Sequence, residues 1–399
     1  QLVMDAVIQL GPISRAKLAE VLAISKPTIS EIVREFEHAG WIHEAGRTSG
    51  NVGRTAIAYE LRPRASHVVG IDLGGTKIRG AITGLDGVIL AEELEPTDHA
   101  PGGTLDQVER LCRTLVDESE SPWDTLIAVA LGVPGVPDPQ TGEIHLSPNL
   151  PHLEGVNLAR ELADRLGVEV SVRNDVNLAA LGEGWQGAAR GMDDFVCIAV
   201  GTGIGMGIVA DGELRLGAAG AAGEIGFLPL GAEPLEPVTH PRGALEHFAS
   251  GPGIARRFGA ASGADVDTVE VPEVLAAAVE GEEPAVSLVD ETNRALAEAV
   301  LAVVAVCNPQ IVLLGGGVGS SRPIVAGVRE WVERLTSRSI TVDVPALGPR
   351  AALIGAIGLA LRMAHESLFS APRSPALALP DGRGGDSALV PTEEVDVDV

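Results

Sequence analysis

The sequence predicts an α/β fold: a two-lobed, internally duplicated body behind a small, mainly helical N-terminal domain. Three observations predict it. A strand, glycine-rich turn and second strand at His67–Leu85 reappear 127 residues later, with Gly74 falling on Gly201, Gly80 on Gly207 and Ile82 on Val209. Between and after the copies, segments of strand character (Leu126–Gly132, Glu169–Val172, Ile311–Gly315) alternate with helical stretches (Leu105–Ser119, Leu158–Leu166, Glu291–Cys307). The third observation is a change in charge near residue 65.

The formal net charge of −26, taken over the whole chain, argues against nucleic acid as a partner. Its distribution reverses that. Residues 1–67 hold eight basic side chains (Arg15, Lys17, Lys26, Arg34, Arg47, Arg54, Arg62, Arg64) against seven acidic ones, a net of +1. That leaves 21 of the 29 basic and 48 of the 55 acidic residues to the remainder, so only the first segment tolerates a phosphate backbone. With 45% hydrophobic residues over 399 positions, the chain can build two or three cores. The longest apolar runs, Ala351–Leu361 and Ala299–Cys307, are too short to span a bilayer, and no signal-peptide pattern opens the chain. A cytoplasmic location is therefore expected. Cys112, Cys197 and Cys307 offer neither a disulfide framework nor a CxxC knuckle and are expected to pack as small apolar residues.

In the first segment Leu2, Val3, Ala6, Val7 and Leu10 recur at helical spacing, and Gly11-Pro12 stops the helix. Ser14 caps a second helix carrying Leu18, Ala19 and Leu22. After the turn Ala23-Ile24, Ser25 caps a third that starts Lys26-Pro27-Thr28, buries Ile29, Ile32, Val33 and Phe36, and ends at Gly40. This is the spacing of a helix-turn-helix. Trp41–His43 and Thr55–Leu61 read as two strands around the loop Ala45–Arg54, which makes a wing. Lys26, Thr28, Ser30 and Arg34 lie on the polar face of the third helix, suited to reading base edges and gripping phosphates. Arg47, Asn51 and Arg54 in the wing reach the adjacent minor groove or backbone. The competing reading is a three-helix interaction module with a solvated polar face.

The body carries its chemistry at strand ends. Asp72-Leu-Gly-Gly-Thr-Lys77 combines glycines, which let backbone N–H groups approach a phosphate, with Thr76 and Lys77 as further donors. Alone, Gly74 and Gly75 mark no more than a tight hairpin. The matching turn Gly201-Thr202-Gly203 makes two phosphate-facing hairpins and implies a nucleotide cleft or its remnant. Asn174-Asp175-Val-Asn177 follows a strand and opens a helix, so Asp175 faces the crevice, where it can accept a sugar hydroxyl proton; the plainer role is helix capping. Gly223-Glu224 and Gly243-Ala-Leu-Glu246 set carboxylates beside glycines, an arrangement suited to vicinal sugar hydroxyls, although either glutamate alone reads equally as a surface charge.

Along the chain the order Asp-Leu-Gly-Gly-Thr-Lys, Asn-Asp-Val-Asn, Gly-Thr-Gly-Ile-Gly, Ala-Gly-Glu-Ile-Gly resembles the repressor, open-reading-frame, kinase (ROK) family from residue 68 to about 365. The resemblance implies an actin/hexokinase-like two-lobed fold. It also implies ATP phosphates at Asp72, Gly74–Lys77 and Gly201–Gly203, a catalytic base at Asp175, and sugar contacts at Asn174, Glu224 and Glu246, with Leu314–Val318 near the adenosine. Family kinases and several repressors carry a histidine after Glu-Ile-Gly that touches sugar and a structural zinc, followed by three cysteines. This chain has Phe227 and Ala244 at two of those positions and no cysteine between Cys197 and Cys307, so no metal site and no structural zinc are expected. Packing around Phe227, Leu228, Pro229 and Leu230 is expected to brace the loop instead.

The resulting expectation is a winged helix-turn-helix over residues 1–64, one lobe over 67–185 plus 350–366, a second over 186–349 with a dimerisation surface, and an acidic disordered tail over 370–399. Function is expected to be regulation of carbohydrate genes, probing an inverted-repeat operator as a homodimer or dimer of dimers and responding to a monosaccharide or sugar phosphate, with no membrane partner and no required cofactor. The alternatives are a hexose kinase using ATP and Mg that retains the DNA-binding arm, and a body that merely dimerises around a vestigial cleft.

Overall fold

The computed structural model describes residues 2–49, 55–100, 102–147 and 149–369. Asn51, Arg54 and the expected tail at 370–399 lie outside the described residues. Three short helices and a three-stranded sheet open the chain: α1 (Leu2–Leu10), β1 (Ile13–Ser14), α2 (Arg15–Val21), α3 (Lys26–His38), β2 (Ile42–Ser49) and β3 (Thr55–Leu61), in sheet order β1-β3-β2. The Ser14 hydroxyl accepts from Lys17 N and the Ser25 hydroxyl from Thr28 N, each at 3.3 Å, so both expected caps form. β1 was not legible. It pairs Ile13 with Tyr59 and Ser14 with Ala58, and β2 runs on to Ser49, through a bulge between Glu44 and Gly46, into what the sequence suggested was loop.

The body begins with β4 (His67–Leu73), β5 (Lys77–Gly84), β6 (Ile89–Pro96), α4 (Gly103–Glu118), β7 (Leu126–Val133), β8 (Val136–Pro137), β9 (Ile144–His145), α5 (Leu158–Leu166), β10 (Glu169–Asn174) and α6 (Asp175–Gln186). It continues with β11 (Phe195–Val200), β12 (Ile204–Ala210), β13 (Glu213–Leu214), α7 (Ala244–Ala249), α8 (Gly251–Ser262), α9 (Val271–Glu280) and α10 (Ala285–Cys307). β14 (Ile311–Gly315), α11 (Gly316–Gly319), α12 (Arg322–Leu335), β15 (Val342–Asp343) and α13 (Ala351–Phe369) complete it.

Two mixed five-stranded sheets result, β10-β7-β4-β5-β6 and β15-β14-β11-β12-β13. Each has an antiparallel hairpin, β4/β5 or β11/β12, followed on one side by parallel strands, so the sequence repeat is a repeat of topology. The repeated glycines have a packing reason. A Cβ on Gly80 would lie 2.9 Å from Leu111 of α4, and one on Gly207 would lie 2.6 Å from Ala180 of α6. At both equivalent positions a missing side chain lets a helix seat closely on its sheet.

α13 ties the molecule together. Its Leu353, Ala356, Ile357 and Ala360 are buried against β4, β7 and α6, and Gly355 approaches α6 so closely that a Cβ there would meet Leu178 O at 1.8 Å. By length and composition this helix is apolar enough to cross a membrane, but it belongs to the core. Its far end shares that core with α1: Val3, Met4 and Val7 pack in one cluster with Leu361, Met363 and Ala364. Where the chain crosses between the two sheets, Glu183 of α6 is fully buried, and its carboxylate accepts from Ala188 N, Ala346 N and Leu347 N at 2.8, 2.9 and 2.8 Å. Those amides lie on the outgoing and returning crossovers, so one carboxylate clamps both.

Candidate functional site

The hairpin turns and three carboxylates converge between the sheets. β10 ends at Asn174, the N-cap of α6, whose amide oxygen accepts from Val176 N and Asn177 N at 3.0 and 3.2 Å while its nitrogen donates to Gly135 O at 3.1 Å. Asp175 follows as the first helical residue, its Oδ1 accepting from Val176 N at 2.8 Å. Glu224 owes its place to Gly223. At φ +95°, a Cβ on Gly223 would fall 1.8 Å from Met206 O, so only glycine lets this turn press onto β12 and deliver the next side chain to the cleft. Glu246 projects from α7, and its Oε2 accepts from Ile204 N at 2.8 Å at the start of β12.

Asn174, Asp175, Glu224 and Glu246 line one chamber of ≈ 300 Å³ with Gly75, Gly201, Thr202 and Gly203. Asp72, Gly74, Thr76 and Lys77 are not in its lining. Gly74 N closes the hairpin on Lys77 O at 2.9 Å, and Thr76 and Lys77 are exposed beyond it. Asp72 acts through charge. Burial pushes its carboxyl up to about 6 against the pull of Arg79, and its charge joins burial and Glu224 in raising Asp175 to about 7, despite the Val176 N–H bond. Glu224 and Glu246 are raised as well, chiefly by burial; Glu246 repels Glu224, while the Ile204 amide and Arg242 pull Glu246 back. A protonated carboxyl donates where an ionised one only accepts, so Asp175, at about 7, pairs with hydroxyls in either sense near neutrality.

Arg242, Leu146 and Asn149, also in this lining, were missed. Arg242 stands four residues before Glu246, its guanidinium 3.9 Å from Oε1, a spacing that could have been read; Leu146 carried no signal. The expected brace at Phe227 is a correction. The residue is 44% exposed and lines the cleft mouth, where the Gly243 backbone runs close against Gly226 and the Phe227 Cα. Leu228 and Leu230 do pack on the core, and Pro229 is exposed. Among the described residues no group of three His, Cys, Asp or Glu side chains is arranged to hold a metal ion.

On the N-terminal domain, Lys26, Thr28 and Arg34 are exposed on α3 while Ser30 is half-buried and Ile29, Val33 and Phe36 are buried. The Thr28 hydroxyl shares a 2.7 Å hydrogen bond with that of Ser25. Arg47 is exposed on β2. Arg15, by contrast, is held by Tyr59 Oη at 2.6 Å and is committed to the fold.

Twin sheets facing across glycine hairpins and a carboxylate cluster define a protein with a sugar-kinase-like α/β body. The chain belongs to the ROK family, whose profile matches residues 68–363. A glucokinase of Thermotoga maritima is 34% identical over 282 residues, 66% of this chain and 86% of its own length. A xylose repressor of Caldicellulosiruptor bescii is 26% identical over 381 residues, 90% of this chain and 94% of its own. A crystal structure of a ROK family transcriptional regulator, a homologue of the Escherichia coli MLC protein, superposes with a TM-score of 0.73 at 23% identity, covering 90% of this chain and 94% of that one. The kinase thus matches about the extent of the body, whereas the two regulators also reach into the N-terminal domain.

Proposed function

We propose that this chain is a cytoplasmic, sugar-responsive DNA-binding regulator, a repressor of carbohydrate-metabolism genes, with a winged helix-turn-helix at 1–64. The observation that carries the reading is mechanical: α6, whose first residue is Asp175, packs on α13, and α13 shares one hydrophobic cluster with α1 of the domain that exposes Lys26, Thr28, Arg34 and Arg47. A sugar held by Asn174, Asp175, Glu224 and Glu246 favours one angle between the lobes, over 67–185 plus 350–366 and over 186–349. α13 passes that angle to the DNA-binding domain, and a homodimer converts it into the spacing of two recognition helices. The match to a xylose repressor over 90% of the chain supports this reading. The test is an electrophoretic shift on genomic fragments selected by the full chain, titrated with monosaccharides and their phosphates. Loss or gain of the complex with one sugar is expected, and an affinity that no sugar moves refutes the effector half.

One observation favours a second reading, a hexose kinase. Asp175 near 7 is poised as a general base in the same chamber as the glycine turns Gly75 and Gly201–Gly203. Bound ATP with Mg would supply the transferable phosphoryl group; Gly75, Gly201 and Thr202 would hold its phosphates and Asp175 would take the hydroxyl proton. Sugar-dependent ADP release that Asp175→Asn abolishes would establish this activity.

A further inference from the structure

The carboxylate chamber opens into a second one. It measures ≈ 420 Å³, shares Leu146, Glu224, Arg242 and Glu246 with the first, and adds Ser147, Pro151, Glu154, Phe227 and Pro241. Its character differs from that of the inner chamber. Phe227 and Leu146, 44% and 47% exposed, present an apolar platform beside Pro151 and Pro241, rimmed by Glu154 and Arg242. Leu146 holds φ +53°, a left-handed conformation that leucine avoids and that the surrounding fold must impose. Two large apolar side chains thus face water at the mouth of a polar site, where burial would have been the default.

A pyranose has this same division: hydroxyls around its edge and a C–H face that lies flat on an aromatic ring. At roughly 30 Å³ per displaced water, one such ring replaces on the order of 200 Å³ of water, so the inner chamber alone accommodates it. We infer that the outer chamber is a second sugar subsite and that the effector is a disaccharide, its first ring among Asp175, Glu224 and Glu246 and its second stacked on Phe227. Glu154 and the Arg242 guanidinium meet the second ring's hydroxyls at the rim. This rests on the reading of the inner chamber as a sugar site and extends it by one residue of saccharide.

The test is calorimetry on the full chain with glucose, xylose and N-acetylglucosamine, each beside its homodisaccharides (cellobiose and maltose, xylobiose, chitobiose). For one pair the disaccharide is expected to bind at least ten-fold more tightly than its monosaccharide. Phe227→Ala is expected to bring that ratio to near one, and Phe227→Trp to preserve it. Monosaccharide binding that equals or exceeds disaccharide binding overturns this inference alone, as does a ratio that survives Phe227→Ala. Binding of neither class overturns the sugar reading itself.

Discussion

Replacing Asp175 by asparagine is expected to stabilise the protein, increasingly so as pH rises. The side chain keeps its size and an oxygen to accept from Val176 N, whose bond to Oδ1 is 2.8 Å. What disappears is a charge that burial, Asp72 and Glu224 oppose, having raised the carboxyl from 3.8 to about 7. Between those values the folded protein retains a proton that the unfolded chain has released, so wild-type stability falls as pH rises and levels off above 7. The whole window is worth about 4 kcal/mol at 1.36 kcal/mol per unit, a ceiling that charge-sharing with Asp72 lowers. Because the sequence pI is ≈ 4.7, the usable range starts near pH 5.5. From there to pH 8 the mutant's advantage should grow by about 2 kcal/mol, a widening of roughly 2 °C in melting temperature for a chain of this length. Urea and thermal melts of both proteins at four pH values measure it. An advantage that stays constant or shrinks with pH would show that Asp175 carries no unfavourable charge, and the argument for a poised carboxyl would fall with it.

Three further outcomes follow from the geometry. Glu183→Gln turns an acceptor into a donor facing the amides of Ala188, Ala346 and Leu347, and should cost about 2–4 kcal/mol in urea denaturation; an unchanged midpoint would deny the clamp. Gly223→Ala, with a Cβ 1.8 Å from Met206 O, should cost at least about 2 kcal/mol and remove any sugar binding that calorimetry detects, because Glu224 is displaced. Arg34→Ala should weaken DNA binding across sequences and reduce the slope of log affinity against log salt by about 0.9, as one lost phosphate contact requires; an unchanged slope would take Arg34 off the DNA.

Much of this architecture was legible, for identifiable reasons. α5 and β14 have the bounds the sequence suggests because each pairs a strong period with a clean stop, Gly167 after Leu166 and the glycine run after Leu314. α10 starts six residues before Glu291. In that first stretch Ser287 and Asp290 interrupt the apolar run of Ala285, Val286, Leu288 and Val289, so no helical period stands out. β6 escaped notice because Glu92, Glu93 and Glu95 make an edge strand look like solvated coil. At the cleft, motif order marked Asn174, Asp175, Glu224 and Glu246, since glycines and strand ends announce them. Phe227 was misjudged because an aromatic between apolar neighbours reads as packing, whereas the fold leaves it 44% exposed in the lining of the cleft mouth.

The shared core of α1 and α13 makes the junction a fitted joint rather than a tether. Cutting the chain after residue 64 would divide the cluster that holds Val3, Met4 and Val7 together with Leu361, Met363 and Ala364, so neither fragment should stay soluble as readily as the intact protein. By the same logic, grafting this N-terminal domain onto another ROK body would need more than a matched linker. The recipient's last helix would have to be recut to receive it, which makes that interface the unit that a chimaera must transplant whole.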